Sequence, residues 1–415
     1  MNTAHSISKI NRCLKMVSSK NLYRFSHFRP VLKDLFHIPR KTYSTPRHLK
    51  ATIEWLARAQ DITKTGGVSA GYTFRYGWYP PYPETTGYII PTFFNYADKT
   101  GDQTYHQRAI KMCDWEKTIQ LPSGAVMAGF YCQTNLKLSK IPPAVFNTGQ
   151  VIFGWCYGYQ KTKNQSYLRC AQRAGDWLIK IQDQDGAWRR GLSPLTNSPK
   201  VHAYHSRVSW ALIELSRLTQ EKKYQTAAIK NLDWVLTQQK QNGWLANNSF
   251  YSGQDPLTHA INYTIEGLLE SGILLNQTKY QKAAILAAQS LLHCFNRDKK
   301  LLASYNNQWQ SQDNYVCLTG AAQMSLIWLK IFALNKNQHF WQAALKTNEF
   351  IKTTQDLNSQ HPGIKGGIKG SQPIYGGYCR FAYLNWAAKF FADCLMLEEK
   401  IKTLDASHSK NGLFS

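Results

Sequence analysis

The chain has 415 residues and carries 50 Lys and Arg against 25 Asp and Glu, a formal charge of +25. No apolar run reaches the ~18 residues of a membrane-spanning helix, which excludes a helical membrane span, and no secretory apolar core is visible. The nine cysteines are scattered and form no Cys-x-x-Cys pair. With apolar helical flanks at Cys113, Cys156, Cys294 and Cys394 they read as buried free thiols of a reducing compartment, so a cytoplasmic protein is expected.

In chain order, the first 50 residues hold eleven Lys or Arg and one acid, Asp34, a net +10. Residues 1–47 read as a basic N-terminal extension that packs on the domain or meets an anionic membrane face. Its Arg- and Ser-rich start resembles an organelle transit peptide, but the apolar and aromatic residues from His27 to Tyr43 argue for ordered structure.

From Ala51 two kinds of helix alternate. One kind covers Ala51–Gln60, Tyr105–Ile119, Tyr167–Ile181, Tyr224–Gln238, Tyr280–Phe295 and Phe340–Thr354, with apolar residues at three- and four-residue spacing and charges between them. Asp114-Trp115, Asp176-Trp177 and Asp233-Trp234 occupy matching places. The other kind covers Thr86–Tyr96, Thr148–Tyr159, Ser206–Leu218, Ala260–Leu274, Thr319–Ala333 and Leu384–Leu397, apolar almost all round and therefore buried. Thr86-Gly87, Thr148-Gly149 and Thr319-Gly320 open three of these helices. His205-Ser206 and Asn262-Tyr263 fall in the same column, and a looser copy lies near Asn385. A period of about sixty residues in a helical chain means stacked hairpins. Six of them predict an all-α (α/α)6 toroid over residues 48–400, with an outer and an inner ring, followed by a C-terminal tail, 401–415.

The links are unequal. After each inner helix they are short, as in Asp98–Gln103, Lys161–Ser166 and Thr219–Lys223. Before each inner helix they are long and rich in Gly, Pro and aromatics, as in Asp61–Pro83, Leu121–Phe146 and Asp183–Tyr204. All long links must share the face where the inner helices start, and binding residues concentrate on loops held by a rigid scaffold.

That face collects the chemistry. The first long link carries Tyr72, Phe74, Arg75, Tyr76, Trp78, Tyr79, Tyr82 and Glu84, with Tyr88 just beyond. Aromatic planes with one cation and one carboxylate suit a sugar ring. Glu84 also stands where the helix dipole favours an acid, as a cap would. The segment HAYHSRVSW supplies His202, Tyr204, His205 and Arg207, and THAINYTIEGL supplies His259, Asn262, Tyr263 and Glu266. His259, Tyr263 and Glu266 share one helical face, and Glu266 must line a cavity or pair with a cation such as Arg207. Asn147, Gln150, Trp188, Arg189, Arg190, Asp313, Tyr315, Tyr375, Tyr378 and Arg380 stand at the other link ends. Glu84, His205, His259, Tyr263 and Glu266 are the catalytic candidates. Tyr72, Arg75, Tyr76, Trp78, Tyr82, Tyr88, Asn147, Gln150, Trp188, Arg189, His202, Tyr204, Arg207, Asn262, Asp313, Tyr315 and Arg380 are the binding candidates.

The glycine-rich PGIKGGIKG, with Lys365 and Lys369, lacks a Walker or dinucleotide spacing and reads as a flexible rim. No metal-ligand motif is present, and no metal or cofactor is expected. No nucleic-acid module is visible and the basic residues are spread through the repeats, so a specific nucleic-acid partner is not expected. Six inner-helix N-termini at one mouth, with Arg75, Arg189, Arg190, Arg207 and Arg380, favour an anionic ligand such as a uronate sugar.

The ends of two outer helices, QDQDGAW (Gln182–Trp188) and QKQNGW (Gln239–Trp244), resemble the Gln–Gly–Trp motifs of terpenoid-cyclase-type toroids, where Gln and Trp tie neighbouring outer helices. The Asp-x-Asp-Asp acid motif of that family and the zinc set of the protein prenyltransferases are absent. The aromatic mouth with its Tyr, His, Arg and Asn set is more similar to carbohydrate-active toroids: six-hairpin glycosidases, toroid polysaccharide lyases and glucuronyl epimerases. YPETTGYIIPT resembles uncharacterised bacterial proteins of surface-polysaccharide synthesis. These resemblances imply an enzyme acting on an acidic polysaccharide or its precursor. Lyase or epimerase chemistry is one reading. Two-carboxylate hydrolysis with Glu84, Glu266 or Asp313, non-catalytic glycan binding, and an isoprenoid substrate remain alternatives.

Overall fold

The computed structural model describes residues 20–132, 142–194 and 201–411, with side chains to residue 404. Residues 1–19 of the expected extension, 412–415 of the expected tail, and parts of the second and third long links lie outside the described residues. Thirteen α-helices follow one another among the described residues. Helix α1 (Phe25–Leu35) belongs to the extension. The outer helices are α2 (Thr45–Asp61), α4 (Gln103–Ile119), α6 (Gln165–Ile181), α8 (Lys222–Thr237), α10 (Thr278–Asp298) and α12 (Gln338–Thr354). The inner ones are α3 (Pro83–Thr100), α5 (Val145–Thr162), α7 (Ser206–Thr219), α9 (Thr258–Leu274), α11 (Leu318–Asn335) and α13 (Asn385–Asn411).

Each inner helix packs against its two inner neighbours, and α13 returns to α3. Each inner helix also forms a tight hairpin with the outer helix after it, and α13 takes α2 as its partner. The ring is closed, and the fold is an (α/α)6 toroid. The tight pair is thus inner-then-outer, joined through the short link, which the outer-then-inner reading of the repeat did not anticipate.

The repeated Thr-Gly pair has a packing cause. Thr86 and Thr148 hydroxyls accept the N–H of Val68 and Val126, 2.9 Å each, pinning a long link to the helix it feeds. A Cβ on Gly87 would fall 2.6 Å from the Val151 backbone, and one on Gly149 within 3.0 Å of the Val208 backbone. The glycines let adjacent inner helices touch, so the most regular feature of the sequence is architectural.

The outer ring is stitched by glutamine. At the ends of five outer helices Gln60, Gln120, Gln182, Gln239 and Gln355 use Nε2 to bond the carbonyl of their own turn glycine, at 2.9, 2.7, 2.9, 3.3 and 2.7 Å. The same amide reaches the next outer helix, at Arg108, Cys170, Ala227 and Ala283 carbonyls and, closing the circle, at the Thr52 hydroxyl, 2.8 Å. The turn glycines Gly66, Gly124, Gly186, Gly243 and Gly366 all have positive φ, where only glycine is unstrained. The repeated Asp-Trp aspartates work the same seam: Asp114, Asp176 and Asp233 accept from Tyr167, Tyr224 and Tyr280 at 2.9, 3.0 and 2.7 Å.

The long links are not wholly irregular. Strands β1 (Gly71–Thr73), β2 (Gly77–Trp78) and β5 (Ala382–Leu384) form one antiparallel sheet, order β2-β1-β5, and β3 (Val316–Cys317) pairs with β4 (Ser371–Gln372). The first sheet joins the first and last long links. The extension rests on those same links. His27 stacks on Phe74 at 4.3 Å and bonds Tyr72 Oη at 2.8 Å. Asp34, fully buried, receives Lys369 Nζ at 2.7 and 2.9 Å, Arg40 at 2.5 Å and the Ile374 N–H at 2.7 Å. Lys369 was expected on a flexible rim; its side chain is instead fully buried and ion-paired. Burial alone would raise the Asp34 pKa, and Lys369 with Arg40 outweighs it and holds the carboxyl below its usual range.

Candidate functional site

At the inner-helix N-termini the structure builds a collar of rings around the axis. Tyr82 lies 6.4 Å from Trp386, whose Nε1 donates to Tyr378 Oη at 3.0 Å. Tyr378 lies 5.9 Å from His259, His259 5.7 Å from Phe250, Phe250 5.5 Å from Tyr204, and Tyr204 5.2 Å from Phe146. Tyr263 packs against this arc, 4.5 Å from His259 and 4.8 Å from Phe146. Different inner helices and links supply the members, so the ring closure itself assembles the collar.

One carboxylate stands among these rings. Glu84 is in the first turn of α3, half-buried, and accepts a 2.5 Å bond from Tyr82 Oη. Burial raises its pKa to about 7, although the Tyr82 bond and the Arg207 charge pull it down. Near neutrality it is a mixture of acid and base forms, which a proton-transfer group needs. Burial, with Glu84 nearby, keeps the Tyr82, Tyr88, Tyr204 and Tyr263 phenols protonated.

The histidines are neutral for the same reason. Burial lowers His259 to about 4. Its Nδ1 donates to Gln323 Oε1 at 2.6 Å, which leaves the lone pair on Nε2. His202 is lowered to about 4 and His205 well below its usual value, again by burial. His202 stacks on Tyr204 at 4.4 Å, and His205 packs edge-on against His202 and Tyr204, 5.3 Å from each.

Beneath the collar the charges are locked. Arg207 bonds Glu266 directly and donates Nε to Gln150 Oε1 at 2.7 Å. Lys330 reaches Glu266 at 2.8 Å and Glu270 at 2.6 Å, and Lys389 pairs with Asp393 at 2.8 Å. Burial would raise the Glu266 pKa, but Arg207, Lys330 and Lys389 bring it down to about 2, so it stays a carboxylate. Lone lysines inside the apolar segments LTGAAQMSLIWLKIFALN and NWAAKFFADCL were the sequence signal for Lys330 and Lys389, which the sequence reading missed. Arg207, Glu266, Lys330, Lys389 and Asp393 line a cavity of about 880 Å³ between the C-terminal halves of the inner helices, with Trp210, Glu214, Asn95 and Leu397; Glu84, His259 and Tyr263 stand outside its lining, on the N-terminal side.

The expected residues thus divide. Glu84, Tyr82, Tyr88, Gln150, His202, Tyr204, His205, Arg207, His259, Tyr263 and Glu266 come together on the axis, in the collar or just below it. The others have separate partners. Tyr72 is buried between His27 and His361, and Trp78 packs 5.3 Å from Trp55. Arg75 and Tyr76 are exposed and stacked on each other at 4.8 Å. Asn147 and Asn262 donate to the Met127 and Gly320 carbonyls at 3.0 and 2.7 Å, ties between link and helix or between helices. Trp188 is in the core with Nε1 on the Leu178 carbonyl, 2.9 Å. Arg189 is spent on Asp183 and Asp185. Asp313 accepts from Ser304 at 2.6 Å, Tyr315 packs on Gly376 and Gly377, and Arg380 is exposed. Arg189 and Arg207 therefore bring little free positive charge to the mouth. Phe130, which packs edge-on against Tyr82 at 5.2 Å, and Phe146, Phe250 and Trp386 were not anticipated as collar members; each is a lone aromatic on a link or helix start with no periodic signal.

No ≥3-residue group of His, Cys, Asp and Glu able to hold a metal occurs among the described residues. No family model and no curated protein sequence matches the chain. Solved structures do match over most of its length. An unsaturated glucuronyl hydrolase specific for heparin superposes with a TM-score of 0.68 at 15% identity, covering 86% of this chain and 98% of that one. Cellobiose 2-epimerase from Bacillus thermoamylovorans gives 0.65 at 15% identity, covering 85% and 98%. A GH76 α-mannanase of Bacteroides thetaiotaomicron gives 0.60 at 16% identity, covering 87% and 97%. By fold the chain is an (α/α)6 toroid built like these sugar-processing enzymes.

Proposed function

We propose that the protein is a carbohydrate-active enzyme that moves a proton at a sugar carbon, by elimination or epimerisation, on a uronate-containing glycan. The observation that carries this reading is Glu84, a half-buried carboxyl with a pKa of about 7 inside an aromatic collar. The collar offers ring faces for the C–H faces of a pyranose. Glu84 is the acid-base group. His259, with its Nε2 lone pair, and Tyr263 beside it are the complementary partners, and His205 backs the Tyr204 wall. Glu266 is a charge anchor: paired with Arg207 and Lys330, it holds the guanidinium in place under the collar. Helix N-termini at the mouth and the overall +25 support an anionic substrate.

Hydrolysis is the second reading, favoured by the hydrolases among the structural neighbours. It needs a second carboxylate across the bond. Glu266 is neutralised from below and Asp313 is held by Ser304, so neither is free for that task.

Incubation with uronate-containing glycans in deuterated water, read by mass spectrometry, separates the readings. Deuterium at carbon without cleavage, or an unsaturated chain end, supports the proposal. Added water alone transfers the case to hydrolysis. Glycan binding with no change of mass would reduce the protein to a binding module.

A further inference from the structure

The extension that locks onto the ring exposes an apolar surface that nothing in the described structure covers. Helix α1 buries His27, Pro30 and Asp34 against the links. Its other side and the turns around it expose Tyr23 (67%), Phe25 (75%), Phe28, Leu35, Phe36 (66%) and Ile38. Exposed Tyr76 and Arg75 adjoin this surface, because Asn21 Nδ2 donates to the carbonyls of Phe74 and Arg75 at 2.7 and 3.3 Å. Arg24, Arg29 and Lys41 are exposed between the rings. The sole acid from residue 20 to 50 is Asp34, buried and consumed by Lys369 and Arg40. Apolar anchors interleaved with basic residues, and no exposed acid, make an amphipathic surface of one sign.

We propose that this surface docks the protein on an anionic lipid bilayer. Charge selects the occupant. Residues 1–19 of the chain contain Lys9, Arg12 and Lys15 and no acid, so their sequence offers the surface no complementary charge. A second copy would bring the same positive face. A polyanion with an apolar interior satisfies both halves: the aromatic and aliphatic tips enter the headgroup boundary while the guanidiniums meet lipid phosphates. The first and sixth long links, on which the extension rests, also lead the chain into the collar. A docked ring therefore holds its mouth near lipid-borne glycan, a clause that rests on the proposed function, whereas the docking does not.

The test is co-sedimentation of the full chain with vesicles of phosphatidylcholine alone and of phosphatidylcholine mixed with phosphatidylglycerol. The protein should partition onto the mixed vesicles, stay in solution with the neutral ones, and be released by salt. Arg24→Gln with Arg29→Gln, and separately Phe25→Ser with Phe28→Ser and Phe36→Ser, should each weaken binding about tenfold with unchanged circular-dichroism melts. Glu84→Gln should bind vesicles like the parent, so loss of catalysis and loss of docking are read independently. Equal partition onto both vesicles, or variants that bind as well as the parent, would overturn the proposal. So would a dimer in light scattering that the Phe→Ser set dissociates, or a nucleic acid that the Arg→Gln pair releases.

Discussion

Two glutamates show how much a side chain's surroundings decide. Glu84 has one neutral hydrogen-bond donor and partial burial; Glu266 has two cations. The first is left near neutrality and the second is driven to about 2. Because the folded pKa of Glu84 lies above its ordinary value of 4.5, its contribution to stability is present below that value and is lost as pH rises through about 7. Glu84→Gln should therefore abolish turnover and yet stabilise the fold by about 1–2 kcal/mol above pH 7, allowing for its contact with solvent, as urea titrations at two pH values will read. In the parent, kcat/KM should show a limb near pH 7. Glu116 is a third case. It is fully buried in α4, neither oxygen has a partner among the described residues, and burial raises its pKa well above normal. The repeat places Leu178 and Val235 at the equivalent position. Glu116→Leu should stabilise the protein by about 1–3 kcal/mol, measured as a higher denaturation midpoint at neutral pH. No sequence pattern announced this glutamate, because a lone acid on an outer helix reads as solvated.

At the level of helices and links, what the sequence exposed was whatever recurs. The Thr-Gly pair located three inner helices because one steric demand, close approach of inner neighbours, is met there by glycine, and the spacing then placed His205-Ser206 and Asn262-Tyr263 in the same column. The stitch was half-read. Gln182 and Gln239 were visible through the tryptophan after their glycine, and Gln120 shares their Gln-x-x-x-Gly spacing in QLPSG without the tryptophan. Gln60 and Gln355 reach their glycines over longer turns, Gly66 and Gly366, so spacing conceals an identical hydrogen-bond pattern. Removing the Gln182 amide deletes its bonds to the Gly186 and Ala227 carbonyls, while Asn231 Nδ2 still donates to Gly186 at 3.0 Å. Gln182→Ala should cost about 1–3 kcal/mol, seen as a lower urea midpoint with an unchanged slope. The collar was legible only where residues sat at helix starts. Glu84, Tyr204, His259 and Tyr263 belong to the repeat frame, whereas Phe130 and Phe250 lie on links, whose paths no periodicity specifies.

For the molecule as a whole, the N-terminal extension belongs to the ring's architecture through one buried ionic knot. Asp34→Ala would strand Lys369 and Arg40 in the interior, at a cost of about 3–5 kcal/mol, and should expose the links to limited proteolysis. Asp34 has a depressed folded pKa. Its stabilising effect is therefore complete above its ordinary value of 3.8 and disappears as pH falls further, so the parent should approach the variant's stability in acid. The sequence identified Asp34 as the single acid in a basic segment. Its partner lay over three hundred residues away in a glycine-rich stretch whose composition suggested mobility.

The return of α13 to α2 and α3, with the Gln355 amide on Thr52, leaves the outer circle without a first or last member. An open helical array frays from its ends and needs capping units. A hoop has no place to begin fraying, so opening one seam releases the tension of all the others. Heat should accordingly melt residues 45–400 in one calorimetric step, and backbone amides of α3 and α13, the earliest and latest inner helices, should exchange their hydrogens at the same slow rate.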